Sequence, residues 1–325
     1  MLQIIKPGLL DTIQDAGRFG YAALGINTNG VMDNYAMQVA NALVGNDLNT
    51  AVIEMHFPAA AIRFDEPALI ALSGADFDAS VNDMAIPINK PVLMPKNAVL
   101  SFNKKLSGSR TYLAVGGGFK LDGWLGSLST NIIAEAGGIN GHKLAKDDSI
   151  VFNNQLKCPT DAVKVLPWRA DTATAYMDAH YLYFIKGPEW DWLTPESQHL
   201  LLQEPFTIAP QSDRMAIRLQ GEELSCINNQ ELVSAAVTMG TMQLLPSGEI
   251  LVLMADHQTI GGYPRVGTII TAHLPKLAQG NAGEYVHLLH VQQNIAEGLL
   301  LAQQDELRIL QVGCRFKLDN FKPRA

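Results

Sequence analysis

The segment from Ile250 to Ala272 has the sequence ILVLMADHQTIGGYPRVGTIITA. We predict two buried strands, Ile250–Met254 and Ile269–Ala272, because short apolar runs bounded by turn residues are typical of strands. The polar stretch Ala255–Gly267 lies between them. A loop that carries so many polar groups between two buried strands is typical of loops that present side chains to a ligand.

The polar stretch contains a Gly-Gly-Tyr-Pro turn, made by Gly261, Gly262, Tyr263 and Pro264. Proline fixes its own backbone and restricts the residue before it, so this turn is rigid. Such a turn would hold the preceding polar side chains at the mouth of a barrel, where ligands commonly bind. Those side chains belong to Asp256, Gln258 and Thr259. The alternative is a structural loop in which Asp256 and Thr259 bond to backbone amides.

Similar runs recur along the chain and predict a mainly β fold. Long segments of alternating strand and helix, which would indicate a doubly wound sheet, are missing from the sequence pattern, so many short strands favour barrels or sandwiches. The other predicted strands are Ala68–Leu72, Ala98–Phe102, Tyr112–Val115, Tyr181–Ile185, Ala216–Leu219 and Tyr285–Val291.

Three short helices are predicted among the strands. The clearest is Asp33–Val44, where Asp33 is a good N-cap and the following Gly45 a good terminator. A second helix begins at Thr194, because Thr194 caps and the next residue is a proline. The third is Gln292–Gln304.

The chain has 325 residues, enough for about two domains. Residues 156–175 show little periodicity, and we interpret them as a linker. The predicted domains are therefore residues 1–155 and residues 176–325.

The formal net charge of −8 argues against nucleic acid as a partner, because phosphate binding needs a basic surface. Arginine and lysine are scattered, and no apolar run approaches the roughly 18 residues of a membrane helix. The first ten residues lack the features of a signal peptide. We expect a cytoplasmic protein with no membrane partner.

Cysteine and histidine give no metal prediction. Cys158, Cys226 and Cys314 are far apart in the sequence, which predicts reduced thiols rather than disulfides or a zinc site. His287 and His290 are three residues apart in a predicted strand and would point to opposite faces. We therefore expect no bound metal.

The sequence QDAGRFGY, which begins at Gln14, clusters Gln14, Asp15 and Arg18 around two glycines. Glycine-containing loops of this kind often present side chains to a ligand. The alternative is a surface turn in which Asp15 and Arg18 form only a local ion pair, and such pairs are common and weak.

A further candidate cluster, SDRMAIRLQG, begins at Ser212. Arg214 and Arg218 are four residues apart and would share one face of a strand. Arginine suits the planar recognition of a carboxylate or phosphate. The alternative is an edge strand with solvated arginines.

Five stretches occur in a fixed order along the chain: PGLLDTIQDAGRFGY with NGVMDNYAMQVANALVGN, YLAVGGGF with LGSLSTN, GPEWDW, SDRMAIRLQG and LMADHQTIGGYPRVGTIITAHLPKLAQ. Taken together, they resemble one known family, the C-type subunits of bacterial 5-oxoprolinase. This family is also described as allophanate hydrolase subunit 2-like or biotin-dependent carboxyltransferase-like. The chain departs from the family pattern at Phe19, where proline is usual, and at Ala216 and Ile217.

The resemblance implies two cyclophilin-like β-barrel domains and two partners, 5-oxoprolinase subunits B and A. It also implies a reaction in which the complex opens the lactam of 5-oxoproline to glutamate with hydrolysis of ATP. The chain alone is expected to be inactive.

Together with the residue chemistry, the resemblance implies a catalytic set of Asp256, Gln258 and Arg214. Arg214 and Arg18 would bind anionic groups, and Asp256 and Gln258 would orient the amide. The implied substrate-binding residues are Gln14, Asp15, Arg18, Thr259, Gly261, Gly262 and Tyr263.

Two other functions stay open at this point. In urea carboxylase relatives, the corresponding domain helps to move a carboxyl group from carboxybiotin to urea. Under this alternative the cofactor would be biotin, and the reaction would be carboxyl transfer instead of lactam hydrolysis. The other alternative is a regulatory binding subunit that antagonises a kinase inhibitor through a B-like partner.

Overall fold

The computed structural model describes residues 1–154, 161–228 and 232–321. The chain forms two compact units, and each contains segments that are distant in sequence. Unit 1 comprises Met1–Arg18, Asp33–Thr172 and Gln304–Ala325, and unit 2 comprises Phe19–Met32 and Ala173–Gln303. The predicted domains, residues 1–155 and 176–325, are continuous, whereas the compact units are not.

Burial explains the two displaced segments. Met32, at the end of the first segment, lies in the hydrophobic core of unit 2. In the last segment, Leu307 and Cys314 are buried, and the guanidinium of Arg315 contacts the Asp47 carboxylate at 2.7 Å. Each segment therefore belongs to the unit with which its buried or ion-paired side chains make contact.

In unit 1, the strands form two six-stranded sheets within the described residues. The strands are β1 (Leu2–Lys6), β2 (Thr12–Gln14), β3 (Val52–His56), β4 (Ala61–Phe64), β5 (Ala68–Asp76), β6 (Ala79–Val81), β7 (Met84–Ala85), β8 (Pro91–Met94), β9 (Ala98–Phe102), β10 (Ser107–Val115), β11 (Ser149–Ile150) and β12 (Lys164–Val165). One sheet has the order β11-β1-β4-β9-β6-β7 and the other β12-β8-β5-β10-β3-β2.

The two sheets of unit 1 share one hydrophobic core. Ile4 and Phe64 from the first sheet, and Ile53 and Leu113 from the second, are fully buried in the same cluster. The residues of this core alternate with those of the opposite face, as expected for strands with one face turned inward.

Helix α1 (Asn34–Leu43) packs on β5 and β10. The predicted N-cap is confirmed, because the Asp33 carboxylate accepts a hydrogen bond from the Ala36 amide at 2.9 Å. The predicted terminator is also confirmed, since Gly45 adopts φ +80° directly after the C-cap. The cap thus fixes where this helix begins and ends.

Unit 2 contains a closed barrel with the order β13-β20-β17-β18-β15-β14-β21, closed by the parallel pair β13 and β21. A separate two-stranded sheet pairs β16 with β19. The strands are β13 (Tyr181–Lys186), β14 (Phe206–Ile208), β15 (Ala216–Gln220), β16 (Ala235–Ala236), β17 (Thr241–Leu244), β18 (Ile250–Leu253), β19 (Ile260–Gly261), β20 (Arg265–Ile269) and β21 (Tyr285–His290).

The other helices are α2 (Ala173–Tyr176), α3 (Pro195–Gln203), α4 (Leu274–Gln279) and α5 (Gln293–Asp319), with short 3-10 turns at Ala22–Leu24, Trp190–Trp192 and Thr271–His273. The prediction for α3 is confirmed, because the Thr194 side chain accepts from the Ser197 amide at 3.1 Å. The mainly β prediction is also confirmed, since sheets form both units.

Two sequence predictions are wrong in their bounds. The strand predicted at Ile269–Ala272 begins at Arg265 and ends at Ile269, and the remaining apolar residues turn into the 3-10 turn and α4. The third helix extends 15 residues beyond Gln304, to Asp319. The predicted linker includes β12, and its residues 156–160, with Cys158, lie outside the described residues.

Asp11 of unit 1 gives a pH-dependent prediction. Burial raises the pKa of the Asp11 carboxyl from 3.8 to about 7, although it accepts hydrogen bonds from the amides of Ala60 and His56. The folded state then holds a proton that the unfolded state has released, so this carboxyl lowers stability as pH rises from about 4 to about 7.

We expect the thermal midpoint of the wild type, relative to that of Asp11→Asn, to fall as pH rises through this window. Differential scanning calorimetry at several pH values measures the difference. A constant or rising difference would contradict the raised pKa.

In the part of the chain that the structure describes, no helix combines the length and the apolar character needed to cross a membrane.

Candidate functional site

Arg214 and Asp256 form a two-bond ion pair in unit 2. The Arg214 Nε donates to one carboxylate oxygen of Asp256 at 2.8 Å, and an Nη donates to the other at 3.0 Å. This parallel geometry is the strong form of the arginine–carboxylate interaction. The Arg214 side chain is 6% exposed and that of Asp256 is 17% exposed, so the carboxylate is the more accessible member.

Strand register brings these two residues together. Ala216 at the start of β15 pairs with Leu253 at the end of β18, so the residues beyond both strands meet at one end of the barrel. The Asp256 amide also donates to the Arg214 carbonyl at 2.9 Å, which extends the ladder past the strands. The structure thus brings together two residues that the sequence analysis placed in one catalytic set, and their catalytic role stays a prediction.

The turn Asn29–Gly30 completes this arrangement, and it was not predicted from the sequence. The Asn29 side-chain amide donates to the Asp256 carboxylate, and the Gly30 carbonyl accepts from Arg214 at 2.6 Å. Asn29 itself adopts a positive φ of 57°. An Asn-Gly pair in a sequence indicates a turn, and it carries no signal that its amide will bind a distant carboxylate.

These contacts change the chemical interpretation of Arg214. Its bidentate edge faces Asp256 rather than an incoming anion, so its guanidinium holds the carboxylate in place. The accessible Asp256 oxygens remain hydrogen-bond acceptors and can receive an N–H from a substrate amide. The alternative in which Asp256 bonds only to backbone amides is wrong, because its partners are the side chains of Arg214 and Asn29.

The rest of the polar stretch divides into buried and exposed residues. Gln258, Gly262 and Tyr263 are exposed, whereas Gly261 is buried in β19. The Thr259 carbonyl accepts from the Val237 amide at 3.2 Å, a backbone contact that continues the small β16–β19 sheet. The exposed residues could meet a ligand, and Gly261 and Thr259 support the loop.

His257 is a further buried residue that was not predicted as part of the site. It is 5% exposed, and its Nδ1 lies 2.5 Å from the Gln258 carbonyl oxygen. Burial lowers the pKa of His257 below its ordinary value, against the smaller opposing effects of the Gln258 carbonyl and the Asp256 carboxylate.

Gln14, Asp15 and Arg18 lie in unit 1, in a dense hydrogen-bond network with residues 127–130. The Asp15 carboxylate accepts from the hydroxyls of Ser127 and Ser129, each at 2.6 Å, and from the Leu128 amide at 2.6 Å. It also accepts from the Gly17 amide at 2.8 Å. Asp15 therefore joins the end of β2 to a distant loop.

Arg18 and Gln14 are buried beside this network. The Arg18 guanidinium donates to the Ser129 carbonyl and lies 4.6 Å from the centre of the Trp124 ring. Gln14 donates to the Thr130 carbonyl at 3.2 Å. The hydrogen bonds of all three residues join two loops, and we call this arrangement the structural lock. The role of these residues in substrate binding stays a prediction.

The glycine-rich stretch Val115–Phe119 makes close packing contacts. A side chain at Gly117 would meet Asn154, and one at Gly118 would meet Thr50. Both glycines have positive φ values, 84° and 74°. The stretch is a sharp bend filled by neighbouring side chains, and not an open phosphate cradle.

Unit 2 also has an open cleft whose lining includes neither Arg214 nor Asp256. It lies between the start of α3 and the loop after β15 and has several carboxylates, which disfavour an anionic substrate. Its lining residues are Glu196, Ser197, Leu200, Gly221, Glu222, Glu223 and Ser225, none of which was predicted from the sequence.

Among residues 1–154, 161–228 and 232–321, no group of three or more His, Cys, Asp or Glu side chains could hold a metal ion. Cys226 and Cys314 are free thiols.

Comparison with known proteins gives consistent matches. The family model described as carboxyltransferase domain, subdomain A and B, matches residues 24–290. The C subunit of 5-oxoprolinase from Escherichia coli strain K12 is 33% identical over 322 residues, which cover 98% of this chain and 100% of that protein. Urea amidolyase of Lachancea kluyveri is 27% identical over 96% of this chain, which spans only 18% of that protein.

The fold also matches a solved structure. The crystal structure of the K. lactis urea amidolyase superposes with a TM-score of 0.85 at 23% identity, over 95% of this chain and 20% of that chain.

Proposed function

The chain belongs to the family described as 'carboxyltransferase domain, subdomain A and B', and we propose that it is the C subunit of an ATP-dependent 5-oxoprolinase complex. The complex would hydrolyse 5-oxo-L-proline to L-glutamate. The observation that carries this proposal is the 33% identity to the E. coli protein, which extends over 98% of this chain and all of that protein. The relative is named as a subunit, which supports a role for this chain within a complex, and we propose B- and A-type subunits as its partners.

The geometry of Arg214 and Asp256 suits an amide substrate. Asp256 offers a carboxylate that is fixed by Arg214 and Asn29, and its 17% exposure leaves it accessible. A carboxylate held in this way can accept a hydrogen bond from the bound substrate or from the water that attacks it, and so fix the positions of the reacting groups. Tyr263 and Gln258, both exposed, would border the bound ring.

ATP is assigned to the complex and not to the residues of this chain described above. The glycine-rich bend at Gly116–Gly118 is filled by neighbouring side chains, and the bidentate edge of Arg214 faces Asp256. ATP hydrolysis would supply the free energy to open a resonance-stabilised amide.

Reconstitution tests the proposal. The chain is co-expressed with its B- and A-type partners, and glutamate release from 5-oxo-L-proline is measured with and without ATP. We expect release only when this chain, both partners and ATP are present. A folded complex of all three proteins that releases no glutamate would contradict the proposal.

A second candidate function is carboxyl transfer in a biotin-dependent urea carboxylase. It is favoured by the family's description as a carboxyltransferase domain and by the match to urea amidolyase. A fixed carboxylate could orient urea, since urea presents several N–H donors. Transfer of labelled bicarbonate to urea, in the presence of ATP, a biotin carboxylase and a biotin carrier, would distinguish this function from lactam hydrolysis.

A further inference from the structure

Gln243, in the middle of β17, has a buried carboxamide whose hydrogen-bonding groups are unused. The residue is 0% exposed, and within the described residues neither Oε1 nor Nε2 has a hydrogen-bond partner. A buried amide without partners destabilises a folded protein, so such groups are uncommon and require an explanation.

Gln243 points away from the barrel core. Its neighbours Met242 and Leu244 are both buried in that core, and side chains alternate along a strand. Gln243 therefore lies on the outer face of the barrel, where Leu251 and Arg265 are its partners across the neighbouring strands. The outer face next to it carries a small apolar cluster that includes Leu253 and Val237.

The polar stretch Ala255–Gly267 covers this amide. A Cβ atom at Gly261 would clash with the Gln243 Nε2, so the backbone of β19 lies directly against the carboxamide. β19 is part of the two-stranded sheet with β16, in which Ala235 pairs with Gly261 and Ala236 with Ile260. We call this small sheet the β16–β19 cover.

The cover is built to open at low cost. Each strand has two residues, and isolated two-stranded sheets are only marginally stable. The half-buried side chain of Arg265 donates to the Ala236 carbonyl at 3.2 Å, a contact that water can replace. Ile260 is 57% exposed, so burial of its apolar side chain contributes little to the stability of the β16–β19 cover. Elements with few buried contacts are those that open locally.

We propose that Gln243 is a substrate-binding residue that pairs, through both atoms of its carboxamide, with a cis amide admitted beneath the β16–β19 cover. This proposal rests on the proposed function for the identity of that amide, the lactam ring of 5-oxoproline. It adds a recognition residue that is separate from Asp256 and Arg214.

The chemistry of the two partners is complementary. A primary carboxamide presents an N–H donor and a C=O acceptor side by side. A ring holds an amide in the cis form, so the N–H and C=O of a lactam also lie side by side and can make two parallel hydrogen bonds with Gln243. An ordinary peptide is trans and places these groups on opposite sides, so it cannot make both bonds. The ureido ring of biotin shares the cis arrangement.

Paired ligands and paired variants test the proposal on the assembled complex without ATP. Calorimetric titration compares 5-oxo-L-proline with its N-methyl derivative, which lacks the N–H donor. We expect the wild type to prefer 5-oxo-L-proline by about 10- to 100-fold, the range expected for a lost hydrogen bond to a buried amide. Gln243→Met should bind both ligands equally weakly, whereas the control Gln220→Met, at an exposed position of β15, should keep the preference.

Thermal unfolding supplies a second measurement, in which we expect Gln243→Met to lose ligand preference without losing stability. Gln243→Met removes two buried unpaired atoms and keeps the length of the side chain, so its thermal midpoint should equal or exceed that of the wild type. A purely structural glutamine would give a lower midpoint and unchanged ligand preference, and that pair of results would overturn the proposal.

The outcomes separate this proposal from the proposed function. Glutamate release by the wild type, with an unchanged KM in Gln243→Met, would overturn the role of Gln243 and leave the proposed function standing. Gln243-dependent binding of biotin, without binding of 5-oxo-L-proline or glutamate release, would support the cis-amide role and contradict the proposed function. Absence of binding of either ligand to the wild type would overturn the role of Gln243.

Discussion

Arg214→Ala is expected to lower the turnover of the reconstituted complex by about 100-fold or more, because a misplaced catalytic group costs rate on this scale. The substitution removes both hydrogen bonds from Arg214 to Asp256 and the bond to the Gly30 carbonyl. It also leaves a largely buried carboxylate without its counter-charge. We expect a loss of about 3 kcal/mol in the free energy of unfolding, as measured for broken buried ion pairs.

Arg218→Ala is the matched control. Arg218 also pairs with a carboxylate, that of Glu249 at 2.7 Å, but its side chain is 36% exposed. Exposed pairs contribute about 1 kcal/mol or less, so this variant should keep its turnover and nearly all of its stability. Equal effects of Arg214→Ala and Arg218→Ala on turnover and on urea unfolding would remove Arg214 from the site.

A double variant separates stability from turnover. In Arg214→Ala with Asp256→Ala, the unpaired carboxylate is gone, so part of the lost stability should return. Turnover should stay low, since the carboxylate that fixes the positions of the reacting groups is missing. Recovery of turnover in the double variant would show that neither residue acts on the substrate.

Asp15→Ala is expected to destabilise the protein by about 3 kcal/mol, because removing this carboxylate leaves several buried donors without an acceptor. The hydroxyls of Ser127 and Ser129 and the Leu128 amide all donate to this carboxylate. Asp15→Asn keeps the shape and one acceptor oxygen, so it should lose less. Urea unfolding curves of the two variants measure this order.

Kinetics then decide between the two roles of Asp15. A structural lock predicts an unchanged KM for 5-oxo-L-proline well below the unfolding temperature, and substrate binding predicts a raised KM. The control is Asp122→Ala, at an exposed position in the same loop region, where stability and KM should both stay at the wild-type values. A strong effect at Asp122 would mean that general loss of negative charge, and not the lock, explains the Asp15 result.

Local signals in the sequence predicted much of the fold. Asp33 and Thr194 cap helices because each is a short polar residue placed before an apolar stripe or a proline, and both chemistries act within one turn. The strand end predicted within Ile269–Ala272 is wrong, because an apolar run can continue a strand or enter a helix with the same composition. The second half of α5 was missed, since Ile309, Val312 and Phe316 are exposed and obscure the buried face at Leu307 and Cys314.

The candidate site was predictable only in part, for a physical reason. Arg214 and Asp256 stand out because charged side chains next to buried strands are unusual. Asn29 comes from a turn more than 180 residues before Arg214, and only the folded chain brings its amide to Asp256. Gln243 occupies one position in an apolar strand, where a single polar letter does not reveal whether its amide is bonded.

The distribution of the two units along the chain limits how the gene could be divided. Because unit 1 and unit 2 take turns in five successive segments, the backbone passes between them four times. A fragment ending at Thr172 would lack the helical segment that buries Leu307 and Cys314, and the complementary fragment would lack Met32. Fission at the midpoint would therefore give two incomplete halves, and the scaffold should survive evolution only as an undivided unit or as a cassette fused whole into longer polypeptides.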